Sequence, residues 1–144
     1  MTIATALVFG AALFFIAVWL HLYLLALGRK LLRSDRHHTA RVSGAFFIVL
    51  VSHLLIAGLF AVGFYIAAQA GLGGFKKEAM TDWMDYFYFS LINITTLGLG
   101  DVYPTGHLRA ITGIESLTGF LLISCTAQFV YQATKQKEDS DGRQ

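Results

Sequence analysis

Between Asn93 and Pro104 the chain reads NITTLGLGDVYP: two threonines, two glycines one residue apart, then an aspartate. Its setting gives this run its interest. The chain has 144 residues and is 56% hydrophobic, with a mean hydropathy of +0.60. Its length suits one domain, and its composition is too apolar for a domain surrounded by water. Whatever the glycines do, they do it beside or inside a bilayer.

Working outward, Ile3 to Leu27 and Val42 to Gln69 each lack Asp, Glu, Lys and Arg. Each exceeds the ~20 apolar residues with which a helix crosses a ~30 Å hydrocarbon core. A third span runs from about Leu108 to Thr134, with Glu115 as its single acid. Asp82 to Thr95, DWMDYFYFSLINIT, is too short to cross and reads as a re-entrant helix. Met1 to Ala12 holds no Lys or Arg, so the basic region of a cleaved signal peptide is missing and the first span is expected to remain as an anchor. Cys125 lies within an apolar span, where it packs as a small hydrophobe and offers no disulfide.

The net charge of +2 is too small to suggest nucleic acid, and the basic residues are informative by position. Arg29, Lys30, Arg33, Arg36 and Arg41 oppose Asp35 alone in the first loop, and the tail adds Lys135, Lys137 and Arg143. The stretch from Ala70 to Arg109 has Lys76, Lys77 and Arg109 against Glu78, Asp82, Asp85 and Asp101. The positive-inside rule therefore predicts a cytoplasmic first loop and C-terminus, with the N-terminus and the 70–109 region outside. Three crossings satisfy this.

The re-entrant helix then starts outside, at a Thr81 N-cap with Asp82 and Asp85 in its first turn, and points its C-terminus into the membrane. Unpaired carbonyls at the bilayer centre are costly unless a cation or water lies there. TTLGLGD must next return to the surface without helix or sheet, which is tolerated only where backbone is buried in protein or lines water. Gly98 and Gly100 can adopt positive φ, so alternating handedness can turn successive carbonyls toward one side.

Thr95-Thr96-Leu97-Gly98-Leu99-Gly100-Asp101, followed by Val102-Tyr103-Pro104, resembles the TTVGYGD filter of pore-loop potassium channels. A GxG alone is a weak signal; here it follows an outer span and an aromatic re-entrant helix and precedes an inner span. The resemblance covers about Ser43 to Tyr131 and is to the bacterial two-transmembrane type, leaving Ile3 to Leu27 as an extra peripheral helix. It implies that the carbonyls of Thr96, Leu97, Gly98 and Leu99, with the Thr96 hydroxyl, coordinate dehydrated potassium, that Gly100 completes the filter, and that Asp101 sits behind the outer mouth. Leu97 replaces the usual valine and Leu99 the usual tyrosine, which removes a bracing hydroxyl. Leucine at the second of these positions also occurs in potassium-selective relatives. Where many relatives place an acid on the pore helix this chain has Ile92, so Asp101 needs another partner, for which Tyr88 is the candidate.

On the inner span Phe120, Ile123 or Ser124, Ala127, Gln128 and Tyr131 recur at helical spacing and form a stripe suited to an axis. The resemblance puts Gly119 near the glycine at which inner helices bend and makes Ala127, Gln128 and Tyr131 gate candidates. Glu115 is an acid at membrane depth, a functional position by default. It is expected to hydrogen-bond Thr95 or Asn93 and hold the filter from behind, in preference to attracting ions directly.

His21 and His53 fall in neighbouring antiparallel spans. They can serve as proton sensors, as satisfied neutral residues, or as axial haem ligands; the last gives a rival reading as a small membrane cytochrome, which leaves TTLGLGD unexplained. His37 and His38 have no acidic or thiol companions for a metal. Arg29, Arg33 and Arg36 have the spacing of a voltage sensor but lie outside the apolar span; with Lys30 they suit orientation and anionic lipid headgroups. No repeat and no nucleophile, base and orienting group are present, so an enzyme is not expected.

The expectation is an all-α membrane protein. Residues 1–28 are a peripheral helix, 29–41 a basic cytoplasmic loop, 42–134 a pore domain and 135–144 a short tail. Within the pore domain the outer helix is 42–69, the pore helix 82–95, the filter 96–100 and the inner helix 107–134. By the resemblance, four identical copies surround one potassium-conducting pore in the plasma membrane, potassium is the permeant ion, and no resident cofactor is needed. A weakly selective monovalent cation channel of the same architecture is the nearer alternative.

Overall fold

The computed structural model describes residues 2–32, 38–76 and 82–135. Their apolar sequence is helical: α1 is Ile3–Leu32, α2 His38–Gln69, α3 Trp83–Ile94 and α4 Leu108–Lys135, with a two-residue hairpin of β1 (Phe75–Lys76) and β2 (Tyr103–Pro104) between them. Among the described residues α1, α2 and α4 are long and apolar enough to cross a membrane, and α3, at 12 residues, is not. The protein is an all-α, multi-pass membrane protein.

The boundaries differ from the sequence expectation at the charged ends. α1 continues through Arg29 and Lys30 to Leu32, and α2 starts at His38 instead of Val42. Charges end the apolar run but not the helix, and cations in a last turn complement the helix dipole. The expected Thr81 cap lies outside the described residues. Asp82 holds the N-cap position of α3 in extended conformation, with no side-chain bond to the helix.

α1 packs against both α2 and α4, and α3 packs against α2 and α4. Close helix approach in a membrane needs small residues, since no hydrophobic force joins helices already in lipid. Gly10 faces Ile114, and Gly63 of α2 faces Leu13 of α1; a Cβ at Gly10 would stand 2.6 Å from Ile114 Cδ1. The core along these seams includes Ala6, Leu13, Ala17, Ile56, Phe60, Phe64, Ile94, Leu108, Ile111 and Leu122. The outward faces carry Val8, Trp19, Tyr23, Phe47 and Leu55, all exposed as lipid-facing side chains would be.

An aromatic cluster fixes the outer end of α3. Phe64 of α2, Phe75 of β1 and Phe89 of α3 meet edge-to-face with ring centroids 4.8 to 5.8 Å apart, and Tyr86 joins through Phe75 and Tyr65. β1 pairs antiparallel with β2, Phe75 opposite Pro104 and Lys76 opposite Tyr103. Thr105 N donates to Gly74 O at 2.7 Å and His107 N to Leu72 O at 2.7 Å. These bonds clamp the loop that leaves α2 to the loop that enters α4.

Candidate functional site

The inner end of α3 reaches the middle of α4. Gly119 is packed so tightly on Ile94 that a Cβ would collide with the Ile94 carbonyl. Gly119 lies 11 residues into α4, roughly 16 Å along it at the α-helical rise and so about halfway through a hydrocarbon core. α4 is continuous across this glycine. The family resemblance offered Gly119 as a hinge candidate; the structure shows a packing duty for the same residue.

α3 ends in a Schellman motif. Thr95 caps it at φ −78 and ψ 0, Thr96 follows at φ 59, Thr96 N donates to Asn93 O at 3.0 Å and Leu97 N to Ile92 O at 2.9 Å. Gly98 N also reaches Ile92 O, at 3.0 Å. Glycine normally fills the left-handed position, and a β-branched threonine there is strained. Strain of this kind clusters at functional sites, and Thr96 is the residue whose carbonyl and hydroxyl the family resemblance assigns to the ion.

The positive φ recurs at every second residue: Thr96 at 59°, Gly98 at 51° and Gly100 at 76°, with Leu97 and Leu99 on the ordinary side. This is the alternation expected to turn successive carbonyls to one side. Leu97 is 63% exposed and Leu99 59%, apolar side chains left uncovered within one chain.

Two side-chain arrangements brace this loop. At its outer end Tyr88 Oη donates to Asp101 Oδ2 at 3.0 Å, the partner the sequence suggested. That bond is the main reason the Tyr88 pKa lies above its ordinary value of 10.0, with partial desolvation and the Asp101 charge adding to it. At its inner end Glu115 is fully buried. Asn93 Nδ2 donates to Glu115 Oε2, and Ser90 Oγ meets Glu115 Oε1. Asn93 also donates to Thr112 O at 3.1 Å and accepts from Ser116 Oγ at 2.8 Å. Of the two partners expected for Glu115, Asn93 is found. Thr95 is not: its hydroxyl turns back to Leu91 O at 2.8 Å, as polar residues at helix ends do.

Ser90 and Ser116 were missed in the sequence. The signal was there: Ser90 and Asn93 stand three apart on α3, while Thr112, Glu115 and Ser116 share one face of α4. Ser90 Oγ also lies 2.7 Å from Ala57 O, so the outer, pore and inner helices meet at one polar knot.

The histidines form a second buried cluster. His21 on α1 is fully buried, with Nδ1 2.7 Å from Ser52 Oγ and Nε2 3.4 Å from Thr126 Oγ1. His53 Nδ1 donates to Val49 O at 2.9 Å. The two rings touch edge-to-face with centroids 5.5 Å apart, which leaves no gap for a porphyrin between them, and the arrangement gives the haem reading no support.

On α4 Phe120, Ile123, Ala127, Gln128 and Tyr131 are exposed, so the stripe is open in the single chain. Arg29 and Lys30 are exposed at the end of α1. Arg33, Arg36 and His37 lie outside the described residues.

A re-entrant helix aimed at the bilayer centre, a backbone of alternating handedness following it and flanking outer and inner spans define a pore-loop channel. Residues 48–136 match the model of the family described as Ion channel, and the chain belongs to that family. That family is one of channels and not of enzymes. Two curated relatives share short stretches: Potassium channel K2 of Plasmodium berghei (strain Anka), 47% identical over 32 residues, and Potassium channel K2 of Plasmodium falciparum (isolate 3D7), 43% identical over 35 residues. These stretches cover 22% and 24% of this chain and 2% of each relative. No solved structure matches the chain.

Proposed function

We propose that the chain conducts potassium passively and selectively through a pore formed by four identical copies. The observation that carries this reading is the alternation of positive φ at Thr96, Gly98 and Gly100 directly after the α3 C-terminus. A single loop supplies one strand of carbonyls, and replacing the hydration shell of an ion requires a ring of them, which cyclic symmetry supplies. The carbonyls of Thr96, Leu97, Gly98 and Leu99 and the Thr96 hydroxyl are the proposed ligands, with Gly100 at the outer exit. The exposed Leu97, Leu99 and Phe120 suit burial between copies. The K2 channels named above agree with the ion.

Ala127, Gln128 and Tyr131 narrow the proposed path below the filter, with Gly119 above them. The basic end of α1, at Arg29 and Lys30, faces the cytoplasmic leaflet of the plasma membrane and its anionic headgroups, with the N-terminus outside. Reversal potentials of liposomes under opposed potassium and sodium gradients test the ion, and mass measurement of the solubilised protein tests the fourfold assembly. A stable monomer or dimer as the only conducting species defeats the latter.

One observation favours a weakly selective cation pore. Leu99 has no hydroxyl, so the bracing bond found at the outer half of the filter among the described residues is that of Tyr88 to Asp101. The same reversal potential separates the two readings.

A further inference from the structure

The polar knot behind the filter contains more oxygen acceptors than its hydroxyl and amide protons can serve. Ser90 Oγ lies against Ala57 O at 2.7 Å and against Glu115 Oε1. A hydroxyl has one proton to donate; a carbonyl oxygen and a carboxylate oxygen only accept. With Glu115 ionised, one of these two oxygen pairs would face each other without a proton between them, in a place sealed from water. Asn93 cannot relieve it, since its two amide hydrogens serve Thr112 O and Glu115 Oε2 and its oxygen accepts from Ser116. One added proton satisfies every contact, and Glu115 is the only member able to carry it.

We propose that Glu115 is a proton-binding site behind the filter: as a neutral acid it donates to Ser90, which donates in turn to the Ala57 carbonyl, joining the inner, pore and outer helices in one directed chain. On deprotonation the proton leaves to hydroxide, and Ser90 turns its O–H from Ala57 to the carboxylate. The link to the outer helix is then released. The side chains that meet the Glu115 carboxyl, Ser90 and Asn93, are uncharged, and the titratable groups on the elements packed against it are His53 and Tyr65 on α2, Asp85 and Tyr88 on α3, His21 on α1 and Arg109 on α4. The functional consequence rests on the pore reading above; the proton assignment does not.

Infrared difference spectra of the full chain in lipid at neutral pH, wild type minus Glu115→Gln, test the assignment. The expected result is a protonated-carboxyl stretching band present in the wild type, lost in Glu115→Gln and shifted in Ser90→Ala, which removes the acceptor. Glutamine keeps the same bonding pattern, donating to Ser90 and accepting from Asn93, so it is the variant suited to fold. A difference spectrum holding only carboxylate bands overturns the proposal. In liposomes, the ratio of potassium flux at neutral to alkaline pH should exceed one in the wild type and fall to one in Glu115→Gln, whatever the absolute flux of either. Equal ratios overturn the coupling to the filter. A chain that passes no potassium sinks the pore reading and leaves the band to decide the proton.

Discussion

Tyr88 donates its phenolic hydrogen to Asp101 across 3.0 Å, tying the outer half of the pore helix to the residue where the glycine loop ends. On the proposed pore reading this bond would stand in for the hydroxyl that Leu99 lacks. The Tyr88 pKa is raised above 10.0, so the bond is intact below the ordinary tyrosine value and is lost as pH rises through the higher one. Tyr88→Phe and Asp101→Ala should each reduce potassium preference and hasten the decline of current. Because both act through one bond, the double mutant should match the worse single; additive losses in reversal potential would show that the two residues work separately.

The alternation of handedness favours glycine at positions 98 and 100. Gly98→Ser, at φ 51, should abolish potassium preference, because a side chain resists that conformation. Leu99→Tyr should tighten selectivity or prolong conduction if the ring finds space between copies. Reversal potentials under opposed gradients read both, and intact ion preference in Gly98→Ser would mean that TTLGLGD is not the filter.

Gly119 and Gly113 share α4 but not surroundings. A Cβ at Gly119 would run into the Ile94 backbone, while one at Gly113 meets nothing within 4 Å. Gly119→Ala should destabilise by about 1–3 kcal/mol through overpacking. Gly113→Ala should be neutral or stabilise by up to about 1 kcal/mol through helix propensity. Thermal unfolding in detergent compares them, and equal melting temperatures would remove the close approach as a structural requirement.

His21 joins α1 to Ser52 of α2 and Thr126 of α4. His21→Leu strands both hydroxyls and should cost about 1–3 kcal/mol in thermal unfolding. If the histidines sense protons, His21→Gln and His53→Gln should each flatten the dependence of flux on pH. An unaltered profile in both would make them neutral packing residues.

The three spans, the short re-entrant helix and the loop around Gly98 were legible because bilayer thickness sets helix length and because positive φ narrows the choice of residue. Tyr88 with Asp101, and Asn93 with Glu115, could be paired because each acid lacked an obvious partner. Ser90 escaped notice because an isolated serine in an aromatic stretch carries no charge that calls for explanation. The Phe64–Phe75–Phe89 cluster and the β1–β2 hairpin escaped because they join segments far apart in sequence, which hydrophobic periodicity does not register. Helix ends differ from the expected bounds where charge was taken for a terminus, after Gly28 and before Val42.

The seat of α1 changes what an opening movement would have to displace. An inner helix backed by lipid slides against a fluid; here α4 is backed at Ile114 by Gly10 and at Thr126 by His21. Any swing of its lower half must either carry α1 along as a passenger or break a buried contact with a histidine. If α4 moves on opening, the peripheral helix would set the stiffness of that movement, and a ligand, a lipid or a neighbouring protein that grips α1 from the outside would have a lever on α4 without touching it.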